Sequence, residues 1–296
     1  GLHPKMGCIK KRVMPEDVTI NTGHGAIVPR CPIPGHRWGG VVNDPTVTWL
    51  AMWHENIMGS NKYVYLSAAS SFKGKSDRDK YEKARKLKKF IARVRSNYTK
   101  RINKKDKAER QLGTAMWIID VLALRVGNEK DEDEADTVGC CSLRVEHLVF
   151  IKDTHQITLD FLGKDSMRYF QTIDFATYGE LGVKVYNNIF SFCQGKKPAV
   201  DVFDLVDPSN LNRAFTDIMP GLSAKVFRTY NASITLQKEL PTMAESAVTK
   251  EKEVEYNRAN REVAILCNHQ RTVPKGFAAA FEKLQIKHLL LRKQLK

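Results

Sequence analysis

Three apolar runs, His147-Leu-Val-Phe-Ile151, Ile157-Thr-Leu-Asp-Phe-Leu162 and Met167-Arg-Tyr-Phe-Gln-Thr-Ile173, follow one another closely in the chain. Each is short and rich in β-branched and aromatic residues, and the three lie between turn-forming stretches, which predicts three antiparallel strands. Lys152-Asp-Thr154 supplies the first turn and Gly163-Lys-Asp-Ser166 the second. Lys164 therefore sits on a hairpin tip, where a long cation can probe a groove. On both sides of this block the apolar spacing is helical. Upstream it runs from about residue 78 to 126, with a break near Thr99 to Lys107. Downstream it covers Val183 to Phe192, Leu211 to Ile218, Val226 to Leu236 and Glu253 to His269. Pro208 and Pro220-Gly221 punctuate these segments, and the polar stretch Leu240 to Lys250 reads as a loop. A last seam, Phe277, Phe281, Leu284, His288 and Leu291, runs to the final residues. Residues 1 to about 70 differ: they hold Pro15, Pro29, Pro32, Pro34 and Pro45, with strand-like runs at Thr46 to Met52 and Lys62 to Leu66. The fold class expected is α+β: a small mixed N-terminal lobe, then a mainly helical domain with a three-stranded antiparallel sheet. Ser67 to Ser71 is the expected boundary. Trp38, Trp49 and Trp53 read as core residues, and Lys62 and Tyr63 point to opposite faces of one strand.

Charge narrows the partner. The 296 residues carry a formal net charge of +15 and a pI near 9.5, which points to a polyanion, most simply nucleic acid. Lys73 to Lys107 alone holds 16 Lys and Arg against four acids. Tyr81, Ala84, Leu87, Ile91, Val94 and Tyr98 fall on one face of that segment, with Lys80, Lys83, Lys86 and Arg93 opposite. So dense a cationic face is read as contacting phosphates rather than as merely solvated. No apolar run nears the roughly 18 residues of a membrane span, and the first residues do not form a secretory signal. The six cysteines show no CxxC spacing, so zinc is not expected and reduced thiols are. Glu129 to Asp136 holds six acids, read as a solvated loop because consecutive acids do not match an EF-hand loop.

Leu122-Ala-Leu-Arg-Val-Gly-Asn-Glu-Lys130 joins the upstream helical pattern to this acidic run. The apolar period through Leu112, Ala115, Met116, Ile119, Leu122, Ala123 and Val126 places Arg125 in a last helical turn, with Gly127 as the stop. Two readings of Arg125 stand on this stretch alone. It complements the helix C-terminus, or it holds a rigid guanidinium fork toward a phosphate. His269, beside Asn268 and Gln270, reads as a helix-end cap or surface residue.

Longer blocks carry a resemblance. Asp136-Thr-Val-Gly-Cys-Cys-Ser-Leu-Arg-Val-Glu-His147, Phe161-Leu-Gly-Lys-Asp-Ser166, Ala224-Lys-Val-Phe-Arg-Thr-Tyr-Asn-Ala-Ser233, Tyr256-Asn-Arg-Ala-Asn-Arg261 and Ala264-Ile-Leu-Cys-Asn-His-Gln-Arg271 resemble the eukaryotic type IB DNA topoisomerases, and the likeness runs nearly end to end. It implies a clamp around duplex DNA and relaxation of supercoils through a transient 3′-phosphotyrosine, with no ATP and no obligatory metal. It implies that residues 1–70 are part of a core subdomain of the clamp, 71–272 the catalytic core, and 273–296 the start of a helical linker. Arg125 and Arg228 match the family's catalytic arginines, Lys164 its catalytic lysine and His269 its catalytic histidine. The chemistry suits these types: guanidinium forks and an imidazole N–H hold charge that builds on the nonbridging oxygens, and an ammonium group protonates the departing 5′ oxygen. The same resemblance implies DNA contacts at Trp49, Lys62, Tyr63, Lys80, Asn128, Thr137, Asn212, Lys225 and Lys287, and places Asp165 where camptothecin-like poisons lodge. It also implies a nuclear location, or another DNA-containing organelle.

One departure shapes the expectation of mechanism. The family's nucleophilic tyrosine stands in a Ser-Lys-x-Asn-Tyr context, and none of the nine tyrosines here has it. A hydroxyl nucleophile has no substitute among the other four groups. The expectation is therefore a large subunit that binds DNA and needs a small, tyrosine-bearing partner chain to cut it, with an artificial truncation as the competing explanation. Two other functions are weighed: a tyrosine recombinase, disfavoured because such enzymes usually carry His-x-x-Arg where this chain has Lys225-Val-Phe-Arg228, and a non-catalytic DNA-binding scaffold.

Overall fold

The computed structural model describes residues 7, 9–57, 59–127, 136–240, 248–270 and 273–294. Close contacts divide the chain into two units, residues 1–86 with 130–135, and residues 87–129 with 136–296. The first unit holds a four-stranded sheet of order β2-β1-β3-β4, built from β1 (Thr19–Asn21), β2 (Gly40–Val42), β3 (Trp49–His54) and β4 (Asn61–Tyr65). β1 pairs parallel with β2, and the other pairings are antiparallel. None of the three tryptophans expected in a core is buried; each is part-exposed. The reason is the sheet itself, a thin layer whose edge strand β4 is exposed at every position. Trp49 instead leans on Tyr63, and Tyr63 on Tyr65, each pair 6.0 Å apart.

Helix α1 (Ser71–Ile102) begins in the first unit and continues into the second. It starts seven residues earlier than the apolar pattern suggests, because its first two turns are polar and carry no periodic signal. Ala84, Leu87, Val94 and Tyr98 are buried, whereas Tyr81 is 54% exposed. The chain breaks after Ile102, as expected, and Asp106 caps the next helix by accepting from the Glu109 amide at 2.8 Å. That helix, α2 (Lys107–Val121), is buried on all sides from Gly113 to Asp120. An element apolar all round belongs at the centre of a domain, and α2 packs against α3 (Gly179–Cys193), α4 (Pro208–Ile218) and α5 (Ala224–Glu239). Trp117 stacks on Phe175 at 5.7 Å and meets Tyr178 edge-on at 5.2 Å.

The three strands form as expected: β5 (Leu148–Ile151), β6 (Gln156–Leu162) and β7 (Arg168–Asp174), antiparallel in that order. Ile157, Leu159 and Phe161 point into the core. Helix α6 (Thr249–Leu266) packs on α5, and α7 (Phe277–Gln294) has no buried residue.

The buried carboxylate of the second unit is matched. Asp120 has no exposed side-chain surface. It accepts from the Arg95 Nε at 2.9 Å and from the Tyr98 hydroxyl at 3.0 Å, and its backbone carbonyl accepts from Asn231. α1, α2 and α5 are thereby tied at one point. Burial, then the Asp120 charge, pushes the Tyr98 phenol well above its ordinary value. Replacing Asp120 with Ala leaves the buried Tyr98 hydroxyl without its acceptor while water takes up the half-exposed Arg95, and is expected to cost about 2 kcal/mol; Tyr98→Phe, which removes one hydrogen bond, about 1 kcal/mol. Urea unfolding of the two variants checks the difference.

Candidate functional site

The second unit contains a cavity of about 190 Å³ whose wall includes Arg125, Lys164, Asp165, Arg228 and His269. Four separate segments bring them there.

Arg125 does not lie in a helix. α2 ends at Val121, Leu122 caps it, and Ala123 adopts a left-handed conformation with φ +51°. The following residues are held by two backbone hydrogen bonds: the Cys140 amide donates to the Arg125 carbonyl at 2.8 Å, and the Cys141 amide to the Val126 carbonyl at 2.7 Å. Leu122, Ala123 and Leu124 are buried, so the apolar pattern marked a buried segment but not its conformation. Gly127 stops no helix. Its φ of +76° and its approach to Gly139 are the reasons for a glycine here. A Cβ on Gly139 would stand 2.3 Å from the Gly127 nitrogen and 2.8 Å from the Arg125 carbonyl oxygen.

Lys164 is exposed on the tip between β6 and β7, where Asp165 and Ser166 both take positive φ. Arg228 lies on α5, one turn after its start. Its guanidinium donates to the Ala123 carbonyl at 2.5 Å and to the Cys267 carbonyl at 2.9 Å. Burial, then the neighbouring Arg125 charge, lowers its pKa from the ordinary value. His269 stands beyond α6 rather than at its end: the helix stops at Leu266, Cys267 caps it and Asn268 turns left-handed at φ +49°. Burial first, then Arg228 and Arg125, hold the His269 pKa below the usual histidine value, so the imidazole is neutral at neutral pH. Among the described residues no ion pair forms at Arg125, Lys164 or Arg228.

Tyr169, Gly139 and Gln270 also line this cavity, and sequence reading missed all three. Tyr169 donates to the Gln171 side chain at 3.0 Å, and burial pushes its phenol up to about 12. A second glycine, Gly139, packed against Gly127 was the one available signal, since two backbones that touch need two glycines.

The expected DNA contacts scatter more widely. Thr137 is part-buried beside the cavity residue Val138. Lys225 is exposed in the first turn of α5, three residues before Arg228. Asn212 has both amide ends in use within the fold: its Oδ1 accepts from the Ala224 amide at 2.9 Å, and its Nδ2 donates to the Pro208 carbonyl at 2.8 Å. Lys287 is exposed on α7. In the first unit, Trp49 is part-buried and Tyr63 exposed, Lys62 pairs with Glu55 at 3.3 Å, and the Lys80 ammonium lies 5.2 Å from the Tyr81 ring centre. Asn128, with Glu129 to Ala135, lies outside the described residues; Asp136 pairs with Arg144 at 2.7 Å.

Comparison with known proteins bears on what this cavity is. Residues 69–296 match the model of the eukaryotic DNA topoisomerase I catalytic core, and residues 1–66 that of the eukaryotic DNA topoisomerase I DNA binding fragment. DNA topoisomerase 1 of Schizosaccharomyces pombe is 51% identical over 303 residues, covering 100% of this chain and 36% of that protein. DNA topoisomerase 1 beta of Arabidopsis thaliana is 52% identical, covering 100% of this chain and 32% of that protein. DNA topoisomerase 1 of Homo sapiens is 48% identical, covering 100% and 38%. The chain thus spans about a third of the length of these relatives. With the core model matched over most of its residues, the chain belongs to the eukaryotic DNA topoisomerase I family.

Proposed function

We propose that the cavity receives one backbone phosphate of duplex DNA, and that this chain is the phosphate-activating large subunit of a type IB topoisomerase. One observation carries the reading: two arginines, a lysine and a histidine from four distant segments line a single cavity, with no ion pair among the described residues at Arg125, Lys164 or Arg228. Asp165 lines the same cavity but, among the described residues, pairs with none of these cations, and like charges left unpaired call for an anion. In this reading Arg125, Arg228 and the His269 N–H hold the charge that builds on the nonbridging oxygens as a tyrosine oxygen attacks phosphorus. Lys164 gives its proton to the departing 5′ oxygen, and religation returns it. Side chains supply this stabilisation, so the reading requires neither ATP nor a metal.

Tyr169 is the tyrosine that lines the cavity, and it is a poor nucleophile. Its hydroxyl is engaged by Gln171 and its pKa is raised, where an activated nucleophile needs the opposite. The attacking tyrosine therefore comes from outside these 296 residues, and we assign it to a separate small subunit with a Ser-Lys-x-Asn-Tyr segment. The basic face of α1, Lys225 and the aromatic strand β4 supply sequence-independent backbone contact. A nuclear location, or another DNA-containing organelle, follows from the substrate.

The purified chain is expected to bind duplex DNA with an affinity that falls steeply with salt and to leave supercoils untouched. Adding a polypeptide with the tyrosine segment should restore relaxation, with the covalent 3′-phosphate adduct trapped on that second polypeptide. An adduct on the chain alone, or no relaxation by a well-folded mixture, overturns the assignment.

In the reconstituted pair, Arg228→Ala is expected to slow strand cleavage by roughly 10²–10³-fold, as loss of one charge-holding donor does elsewhere. Arg228→Lys should fare little better, because a point charge cannot bridge two carbonyls and a phosphate together. Gly139→Ala should lower cleavage roughly as far as a misplaced catalytic group does, about 10²-fold, while salt-dependent DNA binding persists. Single-turnover cleavage and filter binding read both effects.

A further inference from the structure

Apart from Arg228, the four site groups sit outside the α-helices. A chain of hydrogen bonds links those loops around the cavity. Residues 123–127 are tied to 138–141 by backbone bonds, and the Val138 amide donates to the Leu162 carbonyl at 2.7 Å, at the base of the Lys164 hairpin. Arg228 ties Ala123 to Cys267. The remaining gap lies between the hairpin and the His269 loop, and side chains close it. The Asn268 Nδ2 donates to the Arg168 carbonyl at 3.2 Å, and the Gln270 Nε2 donates to the same oxygen at 2.9 Å. Gln270 also donates to the Asn268 Oδ1 at 2.8 Å. β7 is an edge strand, so its outward carbonyls have no ladder partner; these two amides fill one of them.

We propose that Asn268 and Gln270 are positioning residues for His269: the two neighbours of the imidazole grip one carbonyl of the hairpin that carries Lys164, so the proton-donating and charge-holding arms of the site share one frame. The role deepens the proposed phosphate chemistry and rests on it. The backbone fits this role. The His269 amide donates to the Ala264 carbonyl at 2.8 Å, and the left-handed Asn268 turns the chain off the helix toward β7. Neither fixes the far side of the loop, where only the amide contacts act. Helix packing does not help either, since Asn268, His269 and Gln270 follow the end of α6.

The groups that face the imidazole are Arg125 and Arg228, with Lys164, Asp165 and Tyr169 on the hairpin side of the cavity and Cys267 on its own loop. If the grip fails, His269 leaves the two guanidinium groups for solvent.

The test uses Gln270→Met, which keeps chain length but cannot donate, and Asn268→Gly, which keeps the left-handed backbone but lacks the amide. Imidazole titration by NMR, with His269 assigned through His269→Gln, is expected to rise toward the ordinary histidine value in either variant while the melting temperature holds. In the reconstituted pair, single-turnover cleavage should fall roughly 10- to 100-fold with DNA affinity changed less than about twofold. In a His269→Gln background, Gln270→Met should add no further loss. An unmoved His269 titration, or a loss that simply adds to that of His269→Gln, overturns the positioning role. If the wild-type pair cuts no DNA, the proposed function fails, and the His269 titration alone decides whether the grip exists.

Discussion

Two guanidinium groups lie in one half-buried cavity with no ion pair to a described acid, and the rest of the site depends on that arrangement being tolerated. Bringing like charges together out of water is unfavourable unless dipoles replace the lost hydration. Arg228 shows how this is done. Its fork donates to two backbone carbonyls, Ala123 and Cys267, neither of which can neutralise it. Carbonyls satisfy the donors and leave the positive charge available. A carboxylate at either position would have stabilised the empty site better and blocked its use by a phosphate. The lowered pKa values of Arg228 and His269 record the same balance. With no mobile counter-charge to displace, donors aimed in advance need little reorganisation when charge develops.

Holding that arrangement falls to backbone rather than to the apolar core. α2 is the centre of the domain, yet it contributes no side chain to the cavity; it delivers the Ala123–Gly127 segment, which leaves the helix through a left-handed alanine. The segment then joins residues 138–141, and the Gly127–Gly139 contact lets the two backbones meet. The Asp120 cluster anchors α1, α2 and α5 three residues upstream of Ala123 and three downstream of Arg228. Rigidity thus enters from the core side, while Lys164 extends on a hairpin tip that the core does not touch. Such a division suits the proposed roles, in which a lysine reaches into a groove and the arginines hold still.

The sequence makes the elements legible wherever one face is buried. β6 and β7 alternate because their inner face meets the core, β5 is a short apolar run beside them, and the Lys164 tip follows from the turn chemistry between β6 and β7. Arg125 was misread for a physical reason. Leu122, Ala123 and Leu124 are buried in a turn that leaves the helix through the left-handed Ala123, and over three or four residues a buried irregular segment and a buried helix end leave the same apolar pattern. Nothing in an alanine announces a positive φ. His269 was set at a helix end for the same reason, since the apolar period of α6 continues through Cys267 past the last helical residue. The tryptophans of the first unit illustrate the opposite error: large aromatic residues were taken as core where the sheet is too thin to bury them. Asn212 is subtler. A sequence shows an amide but not that both of its ends are already bonded, one of them to the first amide of α5. The convergence of the four site residues came through the resemblance of long motifs, because no local pattern reports that residues 125, 164, 228 and 269 will meet.

Tyr169 clarifies how nucleophile and activation can be separated. The Arg228 charge favours ionisation of a phenol in the cavity; burial outweighs it and raises the Tyr169 pKa to about 12. The arginine's field is strong for an anion that arrives with its charge already present, such as a phosphate, and weak for a neutral group that must first lose a proton inside an apolar wall formed by Phe161 and Leu124. A nucleophile built into this wall would be suppressed by the environment that favours the substrate. In the proposed reading, one that enters together with the phosphate would meet a changed field, because Arg125 and Arg228 would neutralise the substrate's own charge. The physical chemistry of the cavity therefore favours a tyrosine carried by a segment that docks onto the site over one rooted in its floor.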